Sequence, residues 1–201
     1  MWNNSCARNE LAQDSYHHGK LKDALVDAAS RQIADKGAAS LNLRALARGL
    51  GVTHPAVYRH FADKDALLEA VAQRGFESLA DVLYEAKGEG LESQLRSRAD
   101  AYLSFALANP ELLRVMFALI PAERREQNEV LYTASKRAYA ALLDIVAEVE
   151  GDPYVNSAVV WATLHGLAKL TIEKQVPKLV DPKERQEVIA RAVVVLTRGL
   201  S

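Results

Sequence analysis

The sequence predicts an all-α protein of about nine helices. Apolar residues recur at three- and four-residue steps in one segment after another. No window sustains a period of two, and Thr, Ile and the aromatics do not cluster as strands require. The breaks between segments carry helix caps and stops instead of hairpin turns. With 201 residues, 49% of them hydrophobic and 25% charged, the chain can bury a core, and disorder is excluded as its main state.

Residues 1–16 are polar and aperiodic, which predicts a disordered tail. From Lys20, the positions Leu21, Leu25, Ala28, Ala29 and Ile33 put one apolar stripe on a helix. Lys36 in its last turn and Gly37 at C′ suit a helix end. Asn42 caps a short second helix bearing Leu43, Leu46, Ala47 and Leu50, which stops at Gly51. Thr53 can cap a third, with Pro55 in its first turn and an end near Phe61. Asp63 opens a longer fourth helix carrying Leu67, Leu68, Val71, Leu79, Val82 and Leu83, which Gly88 and Gly90 stop. Segments follow at about 92–107, up to Asn109-Pro110, at 112–117 before Pro121, and at about 123–149. Asp152-Pro153 and Asp181-Pro182 are cap-plus-N1 signals, the second with Glu184 in capping-box position. They predict final helices over about 153–175 and 182–200.

A single cysteine, Cys6, excludes an intramolecular disulfide and a cysteine-based zinc cluster. The longest apolar run, Val193 to Leu196, is far short of the ~20 residues of a membrane span. The first residues lack an apolar signal core, so a cytoplasmic protein without membrane or cofactor is expected. His17-His18 point apart on a helix, and no carboxylate or cysteine completes a metal site there. Net charge is −1, which favours no partner. Its distribution says more: the first 65 residues hold nine Lys and Arg against seven Asp and Glu, and four of the five histidines.

The chemistry concentrates in Leu43–Lys64, LRALARGLGVTHPAVYRHFADK. Two short helices joined by a few residues around a glycine form the helix-turn-helix plan. Ala47 is small where the helices cross, and Gly51 permits the tight turn. Leu46, Leu50, Val52 and Val57 fill the seam, and Phe61 closes the core. That leaves Thr53, His54, Ala56, Tyr58, Arg59 and His60 on the outer or leading surface, able to donate to phosphates or reach base edges in a major groove.

The stretch YHHGKLKDALVDAASRQIADKGAASLNLRALARGLGVTHPAVYRHFADKDALLEAVA resembles the DNA-binding domain of TetR-family transcriptional regulators. The resemblance implies a helix-turn-helix DNA-binding domain over 17–63, a helical ligand-binding and dimerisation domain over 64–201, and a homodimeric repressor released from double-stranded DNA by a small-molecule effector. It places Lys20 and Lys22 on the arm that approaches the DNA backbone, and Arg44 within reach of the groove. Thr53, Tyr58, His60 and Lys64 fall at phosphate-contact positions; His54, Pro55, Ala56 and Arg59 fall where bases are read or shape-matched. Asn42 stands where the family has a capping Thr that touches phosphate. Downstream, NPELLRVMF with Trp161, His165 and Gly166 is similar to the TetR subgroup with a Trp-His-Gly signature in its C-terminal domain.

Trp161 and His165 share a helix face at i, i+4; with Tyr102, Phe105, Met116 and Phe117 they are candidates for the walls of a ligand pocket, although aromatic and Met positions at helical spacing more often form core. In the last helix Val188, Ile189, Ala192, Val193, Val195, Leu196 and Leu200 cover more than one stripe. One face can pack inside the subunit while the last two helices pair with a second copy. A two-fold dimer would then read a palindromic operator. Two other classes are weighed: a helix-turn-helix protein acting through protein partners, and an all-α enzyme. The enzyme lacks an HExxH motif, a phosphate loop and a Ser/Cys–His context.

Overall fold

The computed structural model describes residues 5–177 and 181–200, with side chains from residue 20 onward. Among the described residues there are ten α-helices and no strand. They divide into two units, residues up to 71 and residues from 72. The division falls inside the fourth helix, eight residues beyond the boundary expected at 63.

The first unit holds α1 (Ser5–Lys36), α2 (Leu43–Gly49), α3 (His54–Tyr58) and the opening turns of α4 (Lys64–Glu85). Helix α1 starts at Ser5, which corrects the disordered tail expected over 1–16 for residues 5–16; residues 1–4 lie outside the described ones. No Pro or Gly interrupts the chain from Ser5 to His18, and extending an existing helix is far easier than nucleating one. Leu25, Ala29 and Ile33 of the predicted stripe are buried, with Val26 beside them. Leu46 and Ala47 of α2, Val57 of α3, then Phe61, Leu67 and Val71 complete this core.

Local signals set the joints. Gly37 takes φ 74° and its N–H donates to Ile33 O at 2.8 Å, closing α1. Asn42 Oδ1 accepts from Arg44 N at 2.9 Å and Ala45 N at 3.2 Å, which starts α2. Gly51 at φ 67° turns the chain, and Val52 N–H donates to Ala47 O at 3.0 Å. Asp63 Oδ1 accepts from Ala66 N at 2.7 Å at the head of α4.

The second unit continues with α5 (Gly90–Ala108), α6 (Pro110–Arg114) and a π-helical turn over Val115–Leu119. It ends with α7 (Ala122–Gln127), α8 (Glu129–Val146), α9 (Pro153–Ile172) and α10 (Pro182–Gly199). Helix α5 packs on α8, α9 and α10. The core between them includes Leu95, Tyr102, Leu103, Leu142, Val160, Leu164 and Val193. The single helix expected over 123–149 is two: Asn128 is extended, and its side chain accepts from Leu131 N at 3.2 Å to restart the helix as α8. Asp152 caps α9 through Tyr154 N, and Asp181 caps α10 through Lys183 N and Glu184 N. Helix α9 stops before 175 because Lys174 turns left-handed at φ 54°. No helix among the described residues is long and apolar enough to cross a membrane.

Candidate nucleic-acid interface and cavities

Once Val57 and Phe61 face inward, α3 leaves Thr53, Pro55, Tyr58 and Arg59 exposed, and α2 contributes exposed Arg44. Thr53 sits at the N-cap, but its hydroxyl makes no capping bond there. Tyr58 is 44% exposed, a large fraction for an aromatic ring. Asn42 is exposed too; capping occupies its Oδ1, while Nδ2 keeps its two donor hydrogens. Lys20 and Lys22 lie exposed on α1.

Other candidates are placed differently. His54, Ala56 and His60 are half-buried. The His54 ring meets Tyr58 edge-on at 4.7 Å, and its Nε2 is buried without a partner, so this nitrogen is withdrawn from the outer surface. Lys64 is half-buried, and its ammonium donates to Ala39 O at 3.2 Å. It therefore braces the start of α4 with one of its three hydrogens. Arg48, exposed in the last turn of α2, was not among the expected residues. The signal for it lies in the chain: residues 37–62 hold Arg44, Arg48 and Arg59 and not one Asp or Glu. Such an uncompensated cationic stretch is the electrostatic footprint of a nucleic-acid contact.

In the second unit, six aromatic rings cluster. Phe117, on the π-helical turn, lies 5.0 Å from His165, 5.2 Å from Trp161 and 5.1 Å from Phe76. Trp161 and His165 stack nearly parallel, 10° apart, and Tyr102 and Tyr139 meet Trp161 on their edges. Tyr102 is fully buried, and its hydroxyl hydrogen-bonds His165 Nδ1 at 2.8 Å. Burial pushes the Tyr102 pKa above the usual tyrosine range, so the phenol keeps its proton. A phenol donating to Nδ1 leaves Nε2–H as the donor of His165. Burial, with the Lys169 charge adding to it, lowers the His165 pKa and favours the neutral ring.

Two cavities flank Phe117. One, of 430 Å³, is lined by Leu113, Phe117, His165 and Ile172, with charges of both signs at Glu111, Arg114, Lys169 and Glu173. Lys169 and Glu173 pair at 3.4 Å. The other, of 270 Å³, is lined by Phe76, Phe117, Tyr139, Trp161, Arg125 and Lys136. Of the expected pocket residues, Phe117 thus borders both cavities, His165 the larger and Trp161 the smaller. Tyr102 and Met116 are core, and Phe105 is half-buried and borders neither. Met116 packs into the space that Gly75 leaves on α4, where an added Cβ would come within 2.7 Å of its Sδ.

The family model for bacterial regulatory proteins of the tetR family matches residues 25–71, and that for the tetracycline repressor-like C-terminal domain matches residues 95–196. An HTH-type transcriptional regulator of Mycobacterium tuberculosis is 29% identical over 141 residues, 64% of this chain and 60% of the relative. The class D tetracycline repressor protein of Escherichia coli is 30% identical over 104 residues, 52% of this chain and 48% of that one. The chain thus spans about 60% or less of the length of these curated relatives. A solved structure of a protein with unknown function from Rhodococcus sp. RHA1 superposes with a TM-score of 0.78 at 32% identity, covering 92% of this chain and 97% of that one. With both of its units matched by their own family models, this chain belongs to the TetR family of bacterial regulatory proteins.

Proposed function

We propose that the protein is a homodimeric transcriptional repressor that binds a palindromic operator and leaves it when a small molecule occupies its helical body. The observation that carries this reading is the exposed surface of α2 and α3. It offers Arg44, Arg48 and Arg59 with Thr53 and Tyr58, and α2 and α3 contain no carboxylate. Arginines and hydroxyls of this kind hold phosphates and set register, while side chains early in α3 approach base edges. The name of the E. coli relative, a tetracycline repressor, supports repression as the sign of regulation. We place the protein in the cytoplasm, acting as a regulator and not as an enzyme, in the TetR subgroup with the Trp-His-Gly signature at Trp161, His165 and Gly166.

One head has too few contacts to hold a site alone, so dimerisation belongs to the function. Val155 and Val159 of α9 are 58% and 48% exposed, and Val195 of α10 is 55% exposed. Ala158 and Ala162 extend the α9 stripe. An apolar stripe on the last two helices suits a two-fold interface with an identical copy. Such a pairing sets the recognition helices about 34–36 Å apart, one turn of DNA.

Selection of bound fragments from genomic DNA, using the purified full chain, tests the proposal. The expected result is a palindromic site bound by a dimer. A folded dimer that enriches no DNA at low salt would overturn it and leave the helix-turn-helix to protein partners.

A further inference from the structure

The smaller cavity has an unusual balance of charge. Its walls are the rings of Phe76, Phe117, Tyr139 and Trp161. Of the described residues that line it two are charged, Arg125 and Lys136, and both are cations. Arg125 comes from α7 and lies 5.5 Å over the Phe76 ring. Its Nη2 donates to Met116 O at 3.1 Å and to Ile120 O at 3.5 Å, while Nε is buried with no partner. The guanidinium is therefore half-desolvated among aromatic rings and backbone carbonyls, and no carboxylate of the described residues pairs with it. A partly desolvated cation without a counter-ion carries a cost, and that cost falls when an anion arrives. Lys136 adds a second positive charge, 5.2 Å over the Tyr132 ring.

We propose that this cavity binds a small aromatic carboxylate, its ring against Phe117 and Trp161 and its carboxylate on Arg125 with Lys136 beside it. The inference rests on the effector reading above and names the chemical class of the effector. A volume of 270 Å³ lies just below the ~300–1,000 Å³ of pockets for drug-sized ligands, so one or two rings fit and long chains do not. Aromatic walls by themselves would also welcome a quaternary ammonium, but the two cations among the lining residues repel it. The guanidinium keeps hydrogens beyond those that Nη2 gives to Met116 and Ile120, and a charge-assisted bond from them to a carboxylate is stronger than one to a neutral amide. The larger cavity lacks this selectivity, because it carries charges of both signs and its Lys169 is already paired with Glu173.

The test is calorimetric titration of the full chain with 1-naphthoate, its neutral isostere 1-naphthamide and benzyltrimethylammonium. Naphthoate should bind and quench tryptophan fluorescence. The amide should bind roughly tenfold or more weakly, the value of a charge-assisted pair, and the ammonium not at all. Arg125→Gln should weaken naphthoate about tenfold, and Arg125→Lys less. Because Arg125 also braces the turn at Met116 and Ile120, Lys136→Gln serves as the second variant: its side chain is exposed, and it should weaken naphthoate several-fold without changing the melting curve. Equal binding of acid and amide, preference for the ammonium, no binding of the acid, or unchanged affinity in both variants would each overturn the proposal. Operator release is measured separately on the selected DNA. Charge-dependent naphthoate binding without release upholds the ligand class while refuting the effector reading. Release by the amide or the ammonium but not by naphthoate does the reverse.

Discussion

Val159→Asp should separate the dimer while leaving the fold intact. Val159 is 48% exposed on the α9 stripe, so about half of its side chain remains to be covered by a partner. Full burial of a valine contributes about 1.5–3 kcal/mol, which puts that half near 1 kcal/mol. Two-fold symmetry doubles it to ~2 kcal/mol, about thirtyfold in the dissociation constant. The aspartate does more, since each copy would carry an unpaired carboxylate into an apolar seam at a cost of several kcal/mol. Together these should raise the dimer dissociation constant by more than roughly a thousandfold. Sedimentation equilibrium reads this directly, with circular dichroism confirming helicity. Val130→Asp is the control, equally apolar and 57% exposed but on α8. It should leave the dimer as it was. A Val159→Asp protein that dimerises as tightly as the parent would refute the assignment of α9 to the interface.

Other consequences concern stability and DNA contact. Asn42→Ala removes both capping bonds of α2 and should cost about 1 kcal/mol in urea unfolding; Asn42→Asp should keep that stability but weaken operator binding, because a carboxylate replaces the Nδ2 donor near phosphate. Gly75→Ala gains about 1 kcal/mol of helix propensity but drives a Cβ into Met116 Sδ, and overpacking costs about 1–3 kcal/mol. It should therefore destabilise the parent and stabilise a Met116→Ala background; the same sign in both would exclude the contact as the cause. The lowered pKa of His165 means that the unfolded chain takes up a proton more readily than the folded one. Its contribution is therefore complete above the unfolded pKa of ~6.5 and is lost as pH falls from there towards the folded value. Thermal melts between pH 5 and 8 should show this slope in the parent and a shallower one in His165→Gln.

The helix-turn-helix unit was legible because its determinants are local. The Asn42 cap, the Gly51 turn and the Asp63 cap each act within a few residues, and all three hold. Arg48 shares the same carboxylate-free stretch but carries no motif of its own, and His54 lies on a helix too short for periodicity to fix its face. In the body, what escaped depends on distant neighbours. The Tyr102–His165 bond joins residues 63 apart, and the π-helical turn lies where Met116 meets Gly75. Asn128 interrupts a segment that no Gly or Pro marks, so its periodicity read through as one helix. Residue type alone marks the aromatics as pocket candidates, whereas Arg125 sits in a polar run and only tertiary packing turns it toward rings.

On the proposed function, the exposed face of α2 and α3 binds DNA through phosphate contacts. A salt titration on the selected operator, comparing the parent with Arg44→Ala and Tyr58→Phe, measures it. The parent should lose affinity steeply with salt, since each neutralised phosphate adds about 0.9 to the slope of log K against log salt. Arg44→Ala, present in both copies, should flatten that slope by about 2, while Tyr58→Phe should weaken binding at every salt concentration without changing it. A flat salt dependence in the parent, or identical binding by all three proteins, would contradict the account.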